Sequence, residues 1–179
     1  VAARREHPAD DMISDLANTT ITDPDNGEVR PLNMEELQSL LQQLMVAGNE
    51  TTTSAITGGM VSLIQNPEQM KALQDDPSKI PNAVEEILRM ESPSAGMWRV
   101  VKKDSEVHGV KIPKDSLLML RYHAANRDRE LFDEPNTIDI DRSNADDHIA
   151  FGQGIHFCPG AMLARKEMTV AFEALLSRL

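Results

Sequence analysis

The strongest helical pattern in the chain runs from residue 33 to residue 65. Asn33 and Glu36 stand at the spacing of a capping box, which predicts that a helix begins there, and Pro67 follows its predicted end. Between these points apolar residues cover nearly all sides of the helix. A helix that is apolar all round is normally buried inside a larger protein. The pattern therefore predicts a long central helix, and it indicates an internal fragment of a longer chain.

Shorter patterns surround this helix. Further helical stretches are predicted after Asp11 and from Pro67 and Pro81 onward. The segment 23–28 is typical of a tight turn, and 132–149 is a polar meander without periodicity. Three segments have the composition of strands: 98–101, 107–112 and 117–120. Together these patterns predict a mainly α protein of the α+β class, with no linker that would divide it.

Composition narrows the choice of partners. The chain has 179 residues, 40% of them hydrophobic, and a formal net charge of −11. The acidic balance argues against nucleic acid or an anionic membrane surface as the main partner. No apolar stretch is long enough to span a bilayer, and a single cysteine fits a reducing compartment. We therefore expect a cytoplasmic protein, although a chain that begins with Val1 leaves an upstream membrane anchor open.

The single cysteine lies in an unusual loop, residues 151–160. Gly152 and Gly154 permit backbone conformations that other residues resist, so the loop can fold back on itself. Pro159 is tolerated in the first turn of the helical run that follows. Cys158 is therefore expected near a helix N-terminus, where backbone amides and the helix dipole stabilise negative charge. A thiolate presented there is a good soft metal ligand.

Two other interpretations of Cys158 compete with this one. A lone cysteine is often just a small, buried apolar residue. A zinc site is the second alternative, with His156 as a further ligand, but a structural zinc site needs about four ligands.

The full pattern around the cysteine, F-G-x-G-x-H-x-C-x-G-x-x-L-A-R, resembles the haem-binding loop of the cytochrome P450 family. The resemblance implies that Cys158 is the axial ligand of the iron of haem b. It also implies that His156 bonds a haem propionate and that Phe151 packs beside the ring, with Gly152 and Gly160 as further positions of the cofactor-binding loop.

The resemblance carries an expected fold as well. The matched motifs belong to the C-terminal half of the family's fold, with a long central helix, further helices, a small β-sheet, a meander and the cysteine loop. Residues 1–179 are then expected to be part of a single domain, without its N-terminal half and its extreme C-terminus.

A second motif lies inside the predicted central helix. Ala47, Gly48, Thr51 and Ala55 share one helix face, and an interior glycine costs about 1 kcal/mol relative to alanine. With Glu50, the segment resembles the family's A-G-x-[DE]-T motif on the distal side of the haem. The resemblance implies that Thr51 orients dioxygen and its water, that Glu50 relays protons, and that Ala47 and Gly48 line the cofactor and the substrate. The alternative is a helix contact made of small residues, beside a surface glutamate.

A third motif predicts a structural cluster. Glu86 and Arg89 stand three positions apart on one helix, which permits an ion pair. They resemble the family's E-x-x-R motif, in which an arginine of the meander joins the pair, and Arg142 occupies that place. The match is imperfect in the meander, where Ile138 and Ile140 stand in place of the family's frequent phenylalanine and proline.

Arg99 resembles the arginine that binds a haem propionate in bacterial members of the family. Its alternative is an ordinary charge on an edge strand. The segment before it is expected to line the substrate pocket, although the tryptophan could equally belong to the core. The pocket residues predicted here are Ala95, Gly96, Met97 and Trp98.

The resemblance implies a monooxygenase that inserts one oxygen atom from O2 into a small organic or lipophilic substrate. Electrons from NAD(P)H would arrive through a ferredoxin or a flavoprotein. Four cationic residues are candidates for a docking patch: Lys102, Lys103, Arg165 and Lys166. The alternatives are a haem-thiolate sensor that oxidises nothing, and a fragment that is inert in isolation.

Overall fold

The computed structural model describes residues 1–23 and 26–179. The predicted turn at 23–28 includes Pro24 and Asp25, which lie outside the described residues. The chain forms two compact units, residues 1–49 and residues 50–179. One long helix contributes residues to both.

The first unit is small and begins with two short helices and a hairpin. Its elements are α1 (Ala2–Glu6), α2 (Met12–Asn18), β1 (Thr20–Thr22), β2 (Val29–Pro31) and the first half of α3 (Met34–Gln65). β1 and β2 pair antiparallel. The amide of Ser14 donates to the side chain of Asp11 at 2.8 Å, which caps α2. The predicted capping box is confirmed, because Glu36 N donates to Asn33 Oδ1 at 2.9 Å and Asn33 N donates to Glu36 Oε2 at 2.8 Å.

The second unit contains the remainder of α3 and four further helices. These are α4 (Pro67–Asp75), α5 (Ile80–Glu91), α6 (Tyr122–Ala125) and α7 (Ala161–Leu176). Pro67 and Pro81 stand in the first turns of α4 and α5, where a missing amide costs no helical hydrogen bond. The predicted helices are therefore confirmed.

The strands of the second unit form two antiparallel pairs. They are β3 (Met97–Val100) with β6 (Leu117–Leu120), and β4 (Ser105–Val107) with β5 (Val110–Ile112). The predicted strand at 107–112 is wrong, because the segment turns back at His108 and Gly109. Their φ angles are +48° and +79°, and two left-handed residues in succession make the tight turn of a two-residue hairpin.

Helix α5 lies at the centre of the core of the second unit. Its Ile80, Val84 and Ile87 are each 1% exposed, and helices α3, α4 and α7 pack around them together with the meander. The contact with α3 is close: a Cβ placed on Gly59 would lie 2.6 Å from a methyl group of Ile87 and 2.9 Å from the ring of Phe172. Burial of this kind contributes about 1.5–3 kcal/mol for each large side chain.

The meander at 132–149 is irregular, as predicted, with one 3-10 turn at Ala145–Asp147. Ile138 and Ile140 are buried in the core, so the two positions that depart from the family pattern serve to anchor the meander.

Helix α3 keeps considerable apolar surface in both units. Met45 and Val46 are 76% and 58% exposed in the first unit, and Val61 and Ile64 are 52% and 62% exposed in the second. The residues of this chain therefore leave part of the helix uncovered, which agrees with the prediction that a helix apolar on nearly all sides belongs inside a larger protein. Within residues 1–23 and 26–179, no helix combines the length and the apolar character needed to cross a bilayer.

Candidate functional site

The cysteine loop, residues 151–160, folds back through its glycines. Gly152 and Gly154 have φ angles of +73° and +71°, a region that residues with a Cβ rarely adopt. The sequence prediction for these two glycines is confirmed. Between them and the cysteine, the amide of Phe157 donates to the carbonyl of Gly154 at 3.0 Å. The amide of Cys158 then donates to the carbonyl of Phe151 at 3.0 Å, which closes the loop.

Cys158 stands just before helix α7. Gly160 is the N-cap and Ala161 the first helical residue, so the expectation that Pro159 occupies the first helical turn is wrong. The amide of Ala161 donates to the carbonyl of Cys158 at 3.3 Å, and this bond turns the chain into the helix. The thiol is half-buried. A Cβ on Gly160 would lie 3.9 Å from its sulfur, an ordinary contact distance.

The ring of Phe151 is the centre of a small aromatic cluster. Its centroid lies 6.3 Å from that of Phe157 and 5.8 Å from that of His148. The guanidinium carbon of Arg165 lies 4.7 Å from the ring centroid, a cation–π geometry. Phe151, whose carbonyl accepts the hydrogen bond from the amide of Cys158, is therefore also held in place through its side chain.

The donor set around Cys158 fits a haem better than a bare metal ion. Among the residues that the structure describes, no three His, Cys, Asp or Glu side chains are grouped so that they could hold a metal ion. A single thiolate suits a cofactor that brings its other iron ligands with it. Apolar side chains on and after the loop are exposed and suit a flat apolar ring: Ile155, Phe157, Met162 and Leu163. The residues present therefore fit the haem that the motif implies.

The two predicted propionate partners lie on different elements of the second unit. His156 is exposed in the 3-10 turn at Gly154–His156. Arg99 lies half-buried on β3, and its guanidinium donates to the carbonyl of Trp98 at 2.9 Å.

The residues of the second motif lie on helix α3. In the second unit Glu50 is exposed and Thr51 is half-buried, while Ala55 is buried in the core and is not available to a ligand. In the first unit Ala47 and Gly48 are exposed, and a Cβ on Gly48 would meet no atom within 4 Å. The predicted face of small residues is therefore accessible only in part.

The structure brings Glu86, Arg89 and Arg142 together in a cluster that we call the meander clamp. Arg89 donates to both carboxylate oxygens of Glu86 at 2.7 and 2.8 Å, and Arg142 Nε donates to the same carboxylate at 3.1 and 3.2 Å. Arg89 also donates to the carbonyl of Pro135 at 2.8 Å, and the amide of Asp139 donates to Glu86 at 3.0 Å. Glu86 and Arg89 are 0% exposed, so their charges are stabilised by protein groups and not by water.

The predicted pocket segment runs into β3. Met97 and Trp98 are 47% and 58% exposed, so the alternative that Trp98 belongs to the core is wrong. Gly96 packs against the backbone of Leu120, where a side chain would collide with the carbonyl oxygen. Its lack of a side chain is therefore explained by this contact. Ala95 is exposed, and its carbonyl accepts from the amide of His123 at 3.3 Å.

Sequence reasoning missed one charged network, formed by Glu85, His148 and Arg165. Arg165 donates to the two oxygens of Glu85 at 2.7 and 2.9 Å, and His148 Nε2 lies 3.2 Å from Glu85 Oε2. Burial opposes ionisation of Glu85, but the hydrogen bonds from His148 and Arg165 outweigh it and lower the pKa of the carboxyl group from 4.5 to about 2. The pairing also corrects the predicted docking patch, because Arg165 is engaged by Glu85.

A family model described as Cytochrome P450 matches residues 2–179. Among curated proteins, the chain is 42% identical to "Putative cytochrome P450 126" of Mycobacterium tuberculosis, over 99% of this chain and 42% of that protein. It is 39% identical to the steroid C26-monooxygenase of the same species, over 100% of this chain and 43% of that protein. It is also 40% identical to 6-deoxyerythronolide B hydroxylase of Saccharopolyspora erythraea, over 99% and 43%.

Solved structures agree with the sequence comparison. Cytochrome P450 CYP109Q5 from Chondromyces apiculatus superimposes with a TM-score of 0.89 at 41% identity, over 98% of this chain and 44% of that chain. The cytochrome P450 PksS of Bacillus subtilis gives a TM-score of 0.89 at 40% identity, over 99% and 44%. The expected fold is confirmed, and the chain spans less than half the length of these relatives.

Proposed function

Because this chain belongs to the cytochrome P450 family, we propose that it supplies the thiolate-bearing part of a haem monooxygenase. The reaction would insert one oxygen atom from O2 into an organic substrate. The observation that carries the proposal is the cysteine loop, in which Cys158 is half-buried in front of helix α7 and is bonded through its amide to Phe151.

Cys158 would bind the haem iron through its sulfur. A thiolate ligand on haem iron donates electron density that favours cleavage of the O–O bond, and this is the chemistry the cofactor would supply. The protein's part is to keep the sulfur in place and to limit its contact with water. The closed loop and the N-terminal amides of helix α7 support that role, since both restrain the residue and stabilise negative charge.

Glu50 and Thr51 would deliver protons to the site. Glu50 is exposed and can exchange protons with water, whereas the adjacent Thr51 is half-buried. An acid at the surface with an alcohol next to it is suited to pass a proton inward. Thr51 would hold that proton at its hydroxyl group and orient the oxygen molecule.

Arg99 and His156 would bind the propionate groups of haem b. A guanidinium group forms charge-assisted hydrogen bonds to carboxylates, which are roughly twice as strong as neutral ones. The half-buried position of Arg99 on β3 supports this role. Phe151 would pack beside the ring.

The substrate would be a small organic or lipophilic molecule. The exposed Met97 and Trp98 would contribute to its pocket. The names of the relatives, a steroid monooxygenase and a 6-deoxyerythronolide B hydroxylase, support an organic substrate. Electrons from NAD(P)H would come through a ferredoxin or a flavoprotein, and the exposed lysines remain candidates for its docking: Lys102, Lys103 and Lys166.

The first prediction concerns Cys158. In the complete protein that carries this chain, the reduced, carbon monoxide-bound form should show the red-shifted thiolate band. Cys158→Ser should abolish that band, because a hydroxyl group does not supply a thiolate. A folded, haem-loaded parent without the band would refute the proposal. A parent that shows the band but gives no product with O2, electron donors and a broad substrate panel would support the sensor alternative.

The second prediction concerns Thr51. Thr51→Ala should lower the fraction of consumed NAD(P)H that appears as product by about 10- to 100-fold, since the loss of a proton-transfer group typically costs 10²–10⁴ in rate. Peroxide released per NAD(P)H consumed is the measurement, with Thr53→Ala on the exposed side of α3 as the matched control. Equal coupling in the two variants would remove Thr51 from the mechanism.

A further inference from the structure

One carboxylate connects the two chain segments that enter and leave the cysteine loop. His148 precedes the loop and Arg165 follows it on helix α7, and both bond the side chain of Glu85 on helix α5. The two oxygens of Glu85 are therefore shared between both ends of the loop. We call these three residues the loop bracket.

Hydrogen bonding determines the tautomer of the histidine in the loop bracket. The amide of Ala150 donates to His148 Nδ1 at 3.1 Å, so that nitrogen is an acceptor. His148 Nε2 therefore carries the proton and donates it toward Glu85. The side chain of His148 is 1% exposed and that of Glu85 is 15% exposed, so water competes little for these bonds.

The bracket reaches the cysteine through Phe151. The centroid of the Phe151 ring lies 5.8 Å from that of the His148 imidazole and 4.7 Å from the guanidinium carbon of Arg165. The carbonyl of Phe151 in turn accepts the amide of Cys158 at 3.0 Å. A displacement of either end of the bracket therefore moves the ring and, with it, the backbone bond of the cysteine.

We infer that Glu85 is a positioning residue for the cysteine ligand, which sets the place of Cys158 relative to the cofactor without touching either. The inference rests on the proposed haem-thiolate function. It is separate from the meander clamp, because Glu86 is hydrogen-bonded to Arg89 of α5 and to Arg142 in the meander, whereas Glu85 is hydrogen-bonded to His148 at the end of the meander and to Arg165 of α7.

The test compares Glu85→Gln with the parent in the complete protein. Loss of the charge should weaken both contacts, and the rate of haem transfer to an acceptor apoglobin should rise about 10- to 100-fold, the range found when supporting partners of metal ligands are removed. The reduced, carbon monoxide-bound sample should contain more of the blue-shifted form that lacks the thiolate. In the haem-free protein, Cys158 should react faster with a thiol reagent, measured by mass spectrometry of its peptide.

The matched control is Asp75→Asn, which removes the exposed ion pair of Asp75 with Lys71 at 2.9 Å. It should leave haem transfer, the spectrum and thiol labelling at the parent values. Arg165→Lys keeps the positive charge but loses the bidentate hydrogen bonding to Glu85. It should change haem transfer, the spectrum and thiol labelling in the same direction as Glu85→Gln, by a smaller factor.

The outcomes separate the inference from the proposed function. Glu85→Gln and Arg165→Lys could unfold at lower urea concentration and still match Asp75→Asn in haem transfer, spectrum and labelling. That result would show that Glu85 has only a structural role, and it would overturn the inference. If Glu85→Gln does not accumulate as folded protein, Arg165→Lys decides alone on the same readouts. A parent without the thiolate band would refute the proposed function, and the inference would fall with it.

Discussion

Glu85 and Glu86 are adjacent on helix α5, yet they hold different parts of the molecule. Successive residues of a helix point about 100° apart, so the two carboxylates face different neighbours. Glu86 is fully buried and binds the meander through Arg142, while Glu85 is slightly exposed and binds the segments around the cysteine loop. One helix therefore stabilises the scaffold with one residue and the candidate ligand with the next.

The two carboxylates also differ in what their loss leaves behind. Without Glu86, the fully buried guanidinium of Arg89 and the 7% exposed side chain of Arg142 would lack their charged partner. Without Glu85, Arg165 would keep its contact with Phe151, and its side chain is 28% exposed and can be hydrated. Breaking the fully buried pair should therefore cost more stability than breaking the partly exposed one.

The largest expected effect is that of Glu86→Gln. The substitution leaves two buried guanidinium groups without a countercharge, and breaking a buried pair in this way costs about 3–5 kcal/mol. The free energy of unfolding, measured by urea titration of the complete protein, should fall by that amount. Glu85→Gln is the matched comparison. An equal loss of unfolding free energy in both variants would contradict the different roles of the meander clamp and the loop bracket.

An intermediate effect is expected from acid. The pKa of Glu85 is lowered from 4.5 to about 2 by His148 and Arg165, against the opposing effect of burial. A lowered pKa contributes stability that is present above about pH 4.5 and is lost as the pH falls toward about 2. The parent should therefore lose about 2 kcal/mol more than Glu85→Gln across this window, less than the full shift implies because solvent screens a partly exposed carboxylate. Parallel pH profiles of the unfolding free energy would contradict the role of this carboxylate.

The smallest effect concerns the apolar contact beside the two carboxylates. Gly59→Ala would place a methyl group 2.6 Å from Ile87 and 2.9 Å from Phe172, which should cost about 1–3 kcal/mol. Gly48→Ala is the control on the same helix, because open space surrounds that position and alanine favours a helix by about 1 kcal/mol. We expect Gly59→Ala to lower the free energy of unfolding and Gly48→Ala to raise it. A neutral Gly59→Ala would show that α3 can move away from α5 at no cost.

The features that sequence predicted well are local ones. The capping box of Asn33 and Glu36 spans one helical turn, and the left-handed glycines of the cysteine loop lie two positions apart. Such patterns act over a few residues, so the sequence carries them directly. Arg89 and Glu86 share this advantage, since three positions on a helix bring side chains together.

The features that sequence missed depend on contacts between distant positions. Glu85 bonds residues that are 63 and 80 positions away along the chain, and no local spacing encodes such a pair. A second glutamate beside a buried one is ordinarily a solvated side chain.

Helix α5 has no solvent-exposed residue between Asn82 and Arg89. A single-residue deletion ahead of Glu85 would rotate both carboxylates by about 100° and detach the meander and the loop together. We therefore expect evolutionary change in length to be excluded from this helix. The hairpin between Ser105 and Ile112 is where insertions can accumulate, because a Cβ on Gly109 in its turn would meet no atom within 4 Å.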